Sequence, residues 1–205
     1  MRPVSFLSLG LTLATGAGLY LWFQQQQDKK IVAAQKSTTV VGAAAIGGPF
    51  QLVDHRGSPF SDKDLLGRWT LLYFGFTQCP DICPEELEKI VEAKQLAEKE
   101  TGTKLTTVFV SVDPERDTVA QVAEYVKEFD PEMIGLTGTL EQTNAAARAY
   151  RVYHSKTGED KDYLVDHSII TYLLDPQGNF VTFFGKNMTA PEVAKALVGF
   201  VGPKA

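Results

Sequence analysis

Two runs of mainly hydrophobic and β-branched residues indicate the centre of the fold. They are Trp69–Phe74 and Leu105–Val112, and each has the length of a strand. Such a run is typical of a strand that is buried on both faces of a sheet. Between them, Pro84–Glu100 places apolar residues at helical spacing, and Pro84 suits the first helical position. The pattern therefore predicts two buried strands joined by a helix.

Capping and turn residues mark the remaining elements. Asp117 or Thr118 can cap a helix that reaches Phe129, and Thr139 can cap another. The turn residues at 175–179 predict a late hairpin. The other predicted elements are strands at Phe50–Val53, Pro59–Phe60, Ile134–Leu136, Ser168–Asp175 and Phe180–Phe184, and helices from Thr139 to about Tyr150 and from Thr189 to about Val201, the last with a capping box of Thr189 and Glu192.

The order of these elements is β–α–β–α–(β)–α–β–β–α after a small initial hairpin. Strands and helices alternate first, and the hairpin follows late. This order predicts an α/β domain with a mixed sheet flanked by helices, which fits the thioredoxin-like architecture. In α/β sheets, functional sites lie at the carboxyl ends of strands, so the turn after Phe74 is the first place to look for chemistry.

The first 46 residues differ from the rest of the chain. The segment 4–23 has no charged residue, and its length at helical rise roughly crosses a hydrocarbon core of ~30 Å. We expect a short tail at 1–3, a single N-terminal transmembrane helix at 4–23, a linker at 24–46 and a globular domain at 47–205. A cleaved signal peptide is the alternative, but a run of glutamines stands where its small-residue cleavage site would be.

Charge restricts the class of partner. The chain carries a net charge of −5 and has a pI of about 5.3, so nucleic acid is not an expected partner. Basic residues flank the apolar segment on both sides, so the positive-inside rule does not set its orientation. With two cysteines in all, the chain cannot be a disulfide scaffold.

The two cysteines are Cys79 and Cys83, on the predicted turn between the first buried strand and its helix. A helix N-terminus stabilises thiolates, which suits thiol redox chemistry. Thiolates are also soft ligands for Cu(I) or zinc, whereas an iron–sulfur cluster generally needs four cysteines. A bridge between them would close too short a loop to stabilise the fold much. The residues alone leave three kinds of chemistry open: thiol exchange, peroxide handling by an activated thiolate, and metal binding.

Three histidines compete as a third ligand. We expect His55 at the surface of the first hairpin turn and His154 in a solvated loop. His167 comes directly before a predicted strand, which would hold a ligand rigidly, and Asp166 could orient it from outside the metal shell. Asp113–Asp117 follows the second buried strand, where it either orders a loop near the site or supplies a helix cap.

The string from Tyr73 to Leu87, YFGFTQCPDICPEEL, resembles the signature of the Sco/SenC family, copper proteins of cytochrome c oxidase assembly. Further matches occur in the family's order, and the mitochondrial, plant-like members look closest. The matching segments are Gly47–Phe50, Val112–Thr118, Gly135–Gly138, Tyr150–Tyr153 and Tyr163–Ser168. The resemblance covers nearly the whole domain. Gln78 departs from the pattern, since many relatives have histidine before the first cysteine.

The resemblance implies that Cys79, Cys83 and His167 bind copper, as Cu(I) and also as Cu(II). It implies a chaperone rather than an enzyme, one that delivers copper to the CuA site of oxidase subunit II. The alternative role is a thiol–disulfide oxidoreductase that uses Cys79 and Cys83 to keep the subunit's cysteines reduced. Partners would be subunit II and a soluble copper donor chaperone, and a homodimer stays open.

The same resemblance implies a place in the cell. We expect a single-pass protein of the mitochondrial inner membrane with its domain in the intermembrane space, or of a bacterial plasma membrane facing the periplasm. Candidate contacts with partners surround the cysteines, although ordinary packing of a turn would use the same residues: Phe76, Pro80, Ile82 and Pro84. The acidic residues Glu85, Glu86 and Glu88 could steer a basic partner.

Overall fold

The structure, a computed structural model, describes Leu19 and residues 46–157 and 163–202. Apart from Leu19, these residues belong to one compact unit, Ala44–Ala205. The expected transmembrane helix therefore lies outside the described residues except for Leu19. The expected linker lies outside them except for its last residue, Ile46. No helix in the described part of the chain is long and apolar enough to cross a membrane.

The described chain contains nine strands and four α-helices, mostly in alternation. The strands are β1 (Gln51–Asp54), β2 (Pro59–Ser61), β3 (Trp69–Gly75), β4 (Leu105–Ser111), β5 (Ile134–Thr137), β6 (His154–Thr157), β7 (Leu164–His167), β8 (Ile170–Leu174) and β9 (Phe180–Gly185). The helices are α1 (Ile82–Thr101), α2 (Val119–Phe129), α3 (Leu140–Ala149) and α4 (Ala190–Val201), and a 3-10 turn spans Asp62–Leu65.

Seven strands form one mixed sheet in the order β2-β1-β5-β4-β3-β8-β9. Strands β3, β4 and β5 run parallel, whereas the pairs β1–β2, β1–β5, β3–β8 and β8–β9 are antiparallel. Strand β3 lies inside the sheet, and its residues Leu71–Phe74 are almost fully buried, as a two-sided core strand should be. The predicted mixed-sheet, thioredoxin-like α/β architecture is confirmed.

Helix α1 begins two residues earlier than the sequence predicts. The carbonyl of Asp81 accepts the N–H of Glu85 at 3.3 Å, which closes the first turn ahead of Pro84. Pro84 is tolerated there because the first N–H groups of a helix have no acceptor inside the helix. Cys83 therefore lies within the first helical turn and not just before the helix, which corrects the prediction.

The sequence predicts a loop where the structure has a second, two-stranded sheet. Strands β6 and β7 pair antiparallel, with His154 opposite His167 and Thr157 opposite Leu164. Strand β6 reads His-Ser-Lys-Thr, and this polar composition gives no hydrophobic alternation to mark a strand. Strands β6 and β7 together form a two-stranded ribbon. The buried side chain of Val165 on β7 anchors this ribbon to the domain. His154 is accordingly a half-buried strand residue and not the solvated loop residue that the sequence suggests.

Candidate metal centre

The end of β3 and the start of α1 hold the two cysteines. Cys79 lies in the connecting turn, where its N–H donates to the carbonyl of Phe76 at 3.3 Å. The N–H of Cys83 in turn donates to the Sγ of Cys79 at 3.4 Å. Both side chains are buried, and both cysteines are free, with no disulfide between them. The strand-to-helix turn thus presents two sulfurs to the same space.

His167, the last residue of β7, completes the group. Its Nε2 lies 3.2 Å from the Sγ of Cys83, although 84 positions separate the two residues along the chain. The two sulfurs and the imidazole nitrogen all lie within 4.8 Å of one another. The three residues singled out from the sequence are therefore brought together by the fold. Their donor set of two thiolates and one imidazole suits Cu(I) or zinc.

The ring of His167 is fixed from two sides. Its Nδ1 lies 3.1 Å from the carbonyl oxygen of Ser168, and because a carbonyl only accepts, this contact favours the proton on Nδ1 and a free lone pair on Nε2. The rings of Tyr73 and Phe76 meet the imidazole edge-on, at centroid distances of 6.1 and 5.8 Å. Asp166 does not orient the ring as suggested; its exposed carboxylate accepts from the hydroxyl of Thr157 at 3.3 Å.

The two sulfurs differ in their affinity for protons. The hydrogen bond from the Cys83 thiol, supported by the backbone N–H of Cys83, lowers the pKa of Cys79 to about 4 against the opposing effect of burial. The hydrogen bond to the Cys79 thiolate and burial raise the pKa of Cys83. Burial likewise raises the pKa of Tyr73, which stays a phenol and donates to Cys83 Sγ at 3.7 Å. At neutral pH the pair therefore consists of one thiolate, Cys79, and one thiol, Cys83.

Gly75 makes room for the second sulfur. A Cβ at this position would lie 2.9 Å from the Sγ of Cys83 and 3.1 Å from a ring carbon of Phe109. Both neighbours are fully buried, so neither can move aside easily. Sequence reasoning assigned Gly75 only to the turn, because a glycine needed for close approach has no pattern of its own.

Asp117 anchors the cysteine turn to β4. Its carboxylate accepts from the N–H and the hydroxyl of Thr77, at 3.1 and 2.7 Å, and from the hydroxyl of Ser111 at 2.6 Å. The cap of α2 is Thr118, whose hydroxyl accepts from the N–H of Gln121. Of the two sequence interpretations, the structure supports the ordered loop for Asp117 and assigns the cap to Thr118.

Arg116 joins the same loop to the ribbon that carries His167. Its guanidinium lies 3.8 Å above the ring of Tyr163, donates to the Tyr163 carbonyl at 2.8 Å and reaches the side-chain oxygen of Gln78 at 3.3 Å. Its Nε donates to the buried carboxylate of Asp113 at 2.5 Å. Tyr163 also donates its hydroxyl to Asp113 at 2.6 Å. Sequence reasoning missed this contact, because nothing local relates a loop after β4 to the start of β7.

A groove of about 240 Å³ is lined by two of the three donors, Cys79 and His167. Its wall includes Pro80 and Ile82, two of the candidate partner contacts, and the acidic residues Asp81 and Asp166. Phe76 also borders it but is almost fully buried against His167, so its role is packing. Glu86, suggested as a steering charge, is buried and pairs with Lys89 at 2.7 Å, whereas Glu85 and Glu88 are exposed.

The other two histidines have separate surroundings. His55 is partly buried, and its Nδ1 accepts the N–H of Gly135 at 3.0 Å, which gives it a structural role in the sheet. His154 faces His167 across the ribbon, and burial followed by the charge of His167 lowers the pKa of His154. Neither belongs to the compact three-donor group.

Comparison with known proteins places the whole domain in one family. The SCO1/SenC family model matches residues 38–202. The mitochondrial SCO1 homolog 1 of Arabidopsis thaliana is 50% identical over 203 residues, which cover 96% of this chain. The chain spans 61% of the length of that relative.

Solved structures agree with the sequence comparison. Arabidopsis thaliana ScoI with copper bound is 53% identical and superposes with a TM-score of 0.75, covering 77% of this chain and 98% of that one. Yeast Sco1 with copper bound is 41% identical, with a TM-score of 0.74, covering 79% of this chain and 91% of that one. Both comparison structures contain the metal that the donor set described above would suit.

Proposed function

The chain belongs to the SCO1/SenC family, and from this premise we propose that it is a membrane-anchored copper chaperone. It would deliver copper to the CuA site of cytochrome c oxidase subunit II during assembly of the oxidase. The observation that supports this proposal most strongly is the placement of Cys79, Cys83 and His167, whose donor atoms lie within 4.8 Å of one another. Copper-bound relatives at 53% and 41% identity agree with it.

The protonation of the two cysteines fits Cu(I) binding. Cys79 is already a thiolate, so binding to both sulfurs needs the loss of one proton, from Cys83. The resulting pair of negative charges in a buried site would be unfavourable without a cation, and copper supplies that charge. The imidazole Nε2 of His167 would be the third donor. Three donors leave the metal accessible to a fourth group from a partner.

The groove beside the site offers a route for transfer. Pro80 and Ile82 give it apolar contacts, and Asp81 and Asp166 give it negative charge. A partner's sulfur or imidazole that enters there would bond to copper while one of the three donors leaves. The oxidation state of the metal does not change in such an exchange. The contact would be small and transient, as transfer between proteins requires.

The proposal includes the arrangement of the whole chain. Residues 4–23 would form the membrane helix, 24–46 the linker, and 47–205 the copper-binding domain. The Arabidopsis relative is named as mitochondrial, which supports a place in the mitochondrial inner membrane with the domain in the intermembrane space. Partners would be subunit II and a soluble copper donor.

A thiol–disulfide oxidoreductase is the second candidate, and the unequal pKa values of the two thiols favour it. The Cys79 thiolate would attack a disulfide of subunit II and release one of its sulfurs as a thiolate. Cys83, after losing its proton, would then attack the Cys79 sulfur and release the second. Two electrons pass to the subunit, and this chain ends as the disulfide. The buried position of both sulfurs restricts such an attack to a partner seated in the groove.

Replacing His167 separates the two functions. Because the imidazole is a donor to copper but not a redox group, His167→Ala should weaken Cu(I) binding about tenfold or more in a competition titration while disulfide reduction persists. His55→Asn is the matched control, since an asparagine oxygen can still accept the Gly135 N–H. Equal Cu(I) affinity in His167→Ala and the wild type would contradict the three-donor proposal.

A further inference from the structure

His154 lies directly opposite His167 in the two-stranded ribbon, and the backbone fixes which kind of pair they form. The N–H of Ser168 donates to the carbonyl of Tyr153 at 3.0 Å, one position beyond the pair. In an antiparallel ladder hydrogen-bonded and non-hydrogen-bonded pairs alternate. The two histidines are therefore a non-hydrogen-bonded pair, the type in which opposite side chains come closest.

This pairing puts both imidazoles on the same face of the ribbon. The Cβ atoms of directly opposite residues are about 4.5–5.5 Å apart, and a histidine ring reaches well beyond that distance. The face is the one turned toward the domain, because Val165, two residues from His167 on β7, points the same way and is buried. His167 on this face already contacts Cys83 Sγ at 3.2 Å. A second imidazole is thus attached next to the metal centre.

In the conformation described, the nitrogens of His154 lie outside the three-donor group. The backbone of His154 is held in place by the pairing of β6 with β7. Two side-chain torsions separate its ring from the backbone, so rotation about them moves the ring relative to His167 without moving the chain. His154 is half-buried, which leaves part of its ring free to turn.

We infer that His154 is a conditional fourth ligand: it joins Cys79, Cys83 and His167 when the site holds Cu(II), and it stays outside when the site holds Cu(I). Cu(I) is satisfied by the three donors, whereas Cu(II) takes a tetragonal arrangement of nitrogen and other donors. The imidazole of His154 is a nitrogen donor on the face that carries His167, and the three-donor group does not use it. The inference rests on the proposed copper function and adds a residue that separates the two oxidation states.

Pulsed electron paramagnetic resonance of the reduced full-length protein loaded with Cu(II) tests the inference, because it counts the imidazoles bound to the metal. The wild type should show two. His154→Gln should show one, and its dissociation constant for Cu(II) should rise about tenfold or more, while its affinity for Cu(I) stays unchanged. His154→Tyr should behave in the same way and retains an aromatic strand residue if the glutamine variant folds poorly.

His55→Asn is the matched control and should retain both imidazole signals, since His55 is bound to the sheet through Gly135. A wild type with one bound imidazole, or a His154→Gln protein that retains two, would overturn the inference and leave the proposed function intact. A wild-type protein that binds no copper in either oxidation state would instead overturn the proposed function itself.

Discussion

At the scale of single residues, the two cysteines differ in their affinity for protons, and this difference determines which sulfur is charged. The pKa of Cys79 falls to about 4, mainly through the hydrogen bond from Cys83, whereas the pKa of Cys83 rises. A thiol with an ordinary pKa near 9 would be mostly protonated at neutral pH. The site therefore starts with one charged sulfur, which is the form that binds metal and reacts with electrophiles.

This difference predicts a specific pH profile for alkylation. Cys79 should react with iodoacetamide at a nearly constant rate across the neutral range, from about pH 6 to about pH 8. The rate should fall as the pH approaches about 4, because the thiolate then becomes protonated. Cys83→Ala should shift this fall toward higher pH, because it removes the main cause of the lowered pKa. Mass spectrometry of alkylated peptides measures both, and an ordinary thiol profile near pH 8–9 in the wild type would contradict the assignment.

The lowered pKa of Cys79 also determines how the stability of the fold depends on pH. A lowered pKa in the folded state means that folding favours the Cys79 thiolate. The resulting contribution to stability is fully present above the unfolded pKa, near 9, and is lost as the pH falls toward about 4. Cys83, with a raised pKa, contributes in the opposite sense and loses its contribution as the pH rises. The two effects therefore act in successive ranges: the contribution of Cys79 grows between about pH 4 and pH 9, and that of Cys83 is lost above about pH 9.

At the scale of elements, the strand-to-helix turn follows from the sequence, but the ribbon does not. Trp69–Phe74 and the segment after Pro84 carry clear strand and helix patterns, so the position of both cysteines was predictable to within a turn of α1. The strands β6 and β7 are short, and β6 is polar, so they form through pairing and through Val165 rather than through local preference. Long-range contacts of this kind leave no periodic signal.

The metal-binding residues were predictable from the sequence, but the residues that support them were not. The type and spacing of the cysteines pointed to soft-metal or redox chemistry, and the family resemblance selected His167 among three histidines. What supports these donors was not predictable. Gly75 is needed for the approach of a sulfur from another element, and Arg116 bridges a loop and a strand 47 positions apart. Such roles exist only once the tertiary structure has formed.

Arg116 should control how firmly the ribbon holds His167 near the sulfurs. Lysine at this position keeps the charge but loses the planar stacking on Tyr163 and the fork of hydrogen bonds. We expect Arg116→Lys to fold, to show faster hydrogen exchange in β6 and β7, and to bind Cu(I) about tenfold more weakly. Arg68→Lys, at an exposed position, is the matched control.

The Cu(I) affinity and the unfolding temperature of Arg116→Lys together distinguish a positioning role from a purely structural one. If Arg116 is only structural, Arg116→Lys should lower the unfolding temperature while the Cu(I) affinity of the folded protein remains that of the wild type. An unchanged affinity together with unchanged exchange in the ribbon would show that Arg116 does not position His167.

At the scale of the whole molecule, the metal centre depends on folding. Cys79 and Cys83 lie at the carboxyl end of β3 in the middle of the sheet, and His167 comes from a separate ribbon 84 positions after Cys83. In an unfolded chain the histidine would be far from the cysteines on average, so copper bound by all three donors would stabilise the folded state selectively. The fold thus supplies the third donor, and the local cysteine motif supplies two.

X-ray absorption of the Cu(I)-loaded, reduced protein tests this central claim most directly, because it counts the sulfur and nitrogen atoms bound to copper. The account predicts one copper per chain with two sulfur ligands and one imidazole nitrogen, and the nitrogen should disappear from the spectrum of His167→Ala. A wild-type spectrum with sulfur ligands alone, or a nitrogen signal that survives in His167→Ala, would contradict it.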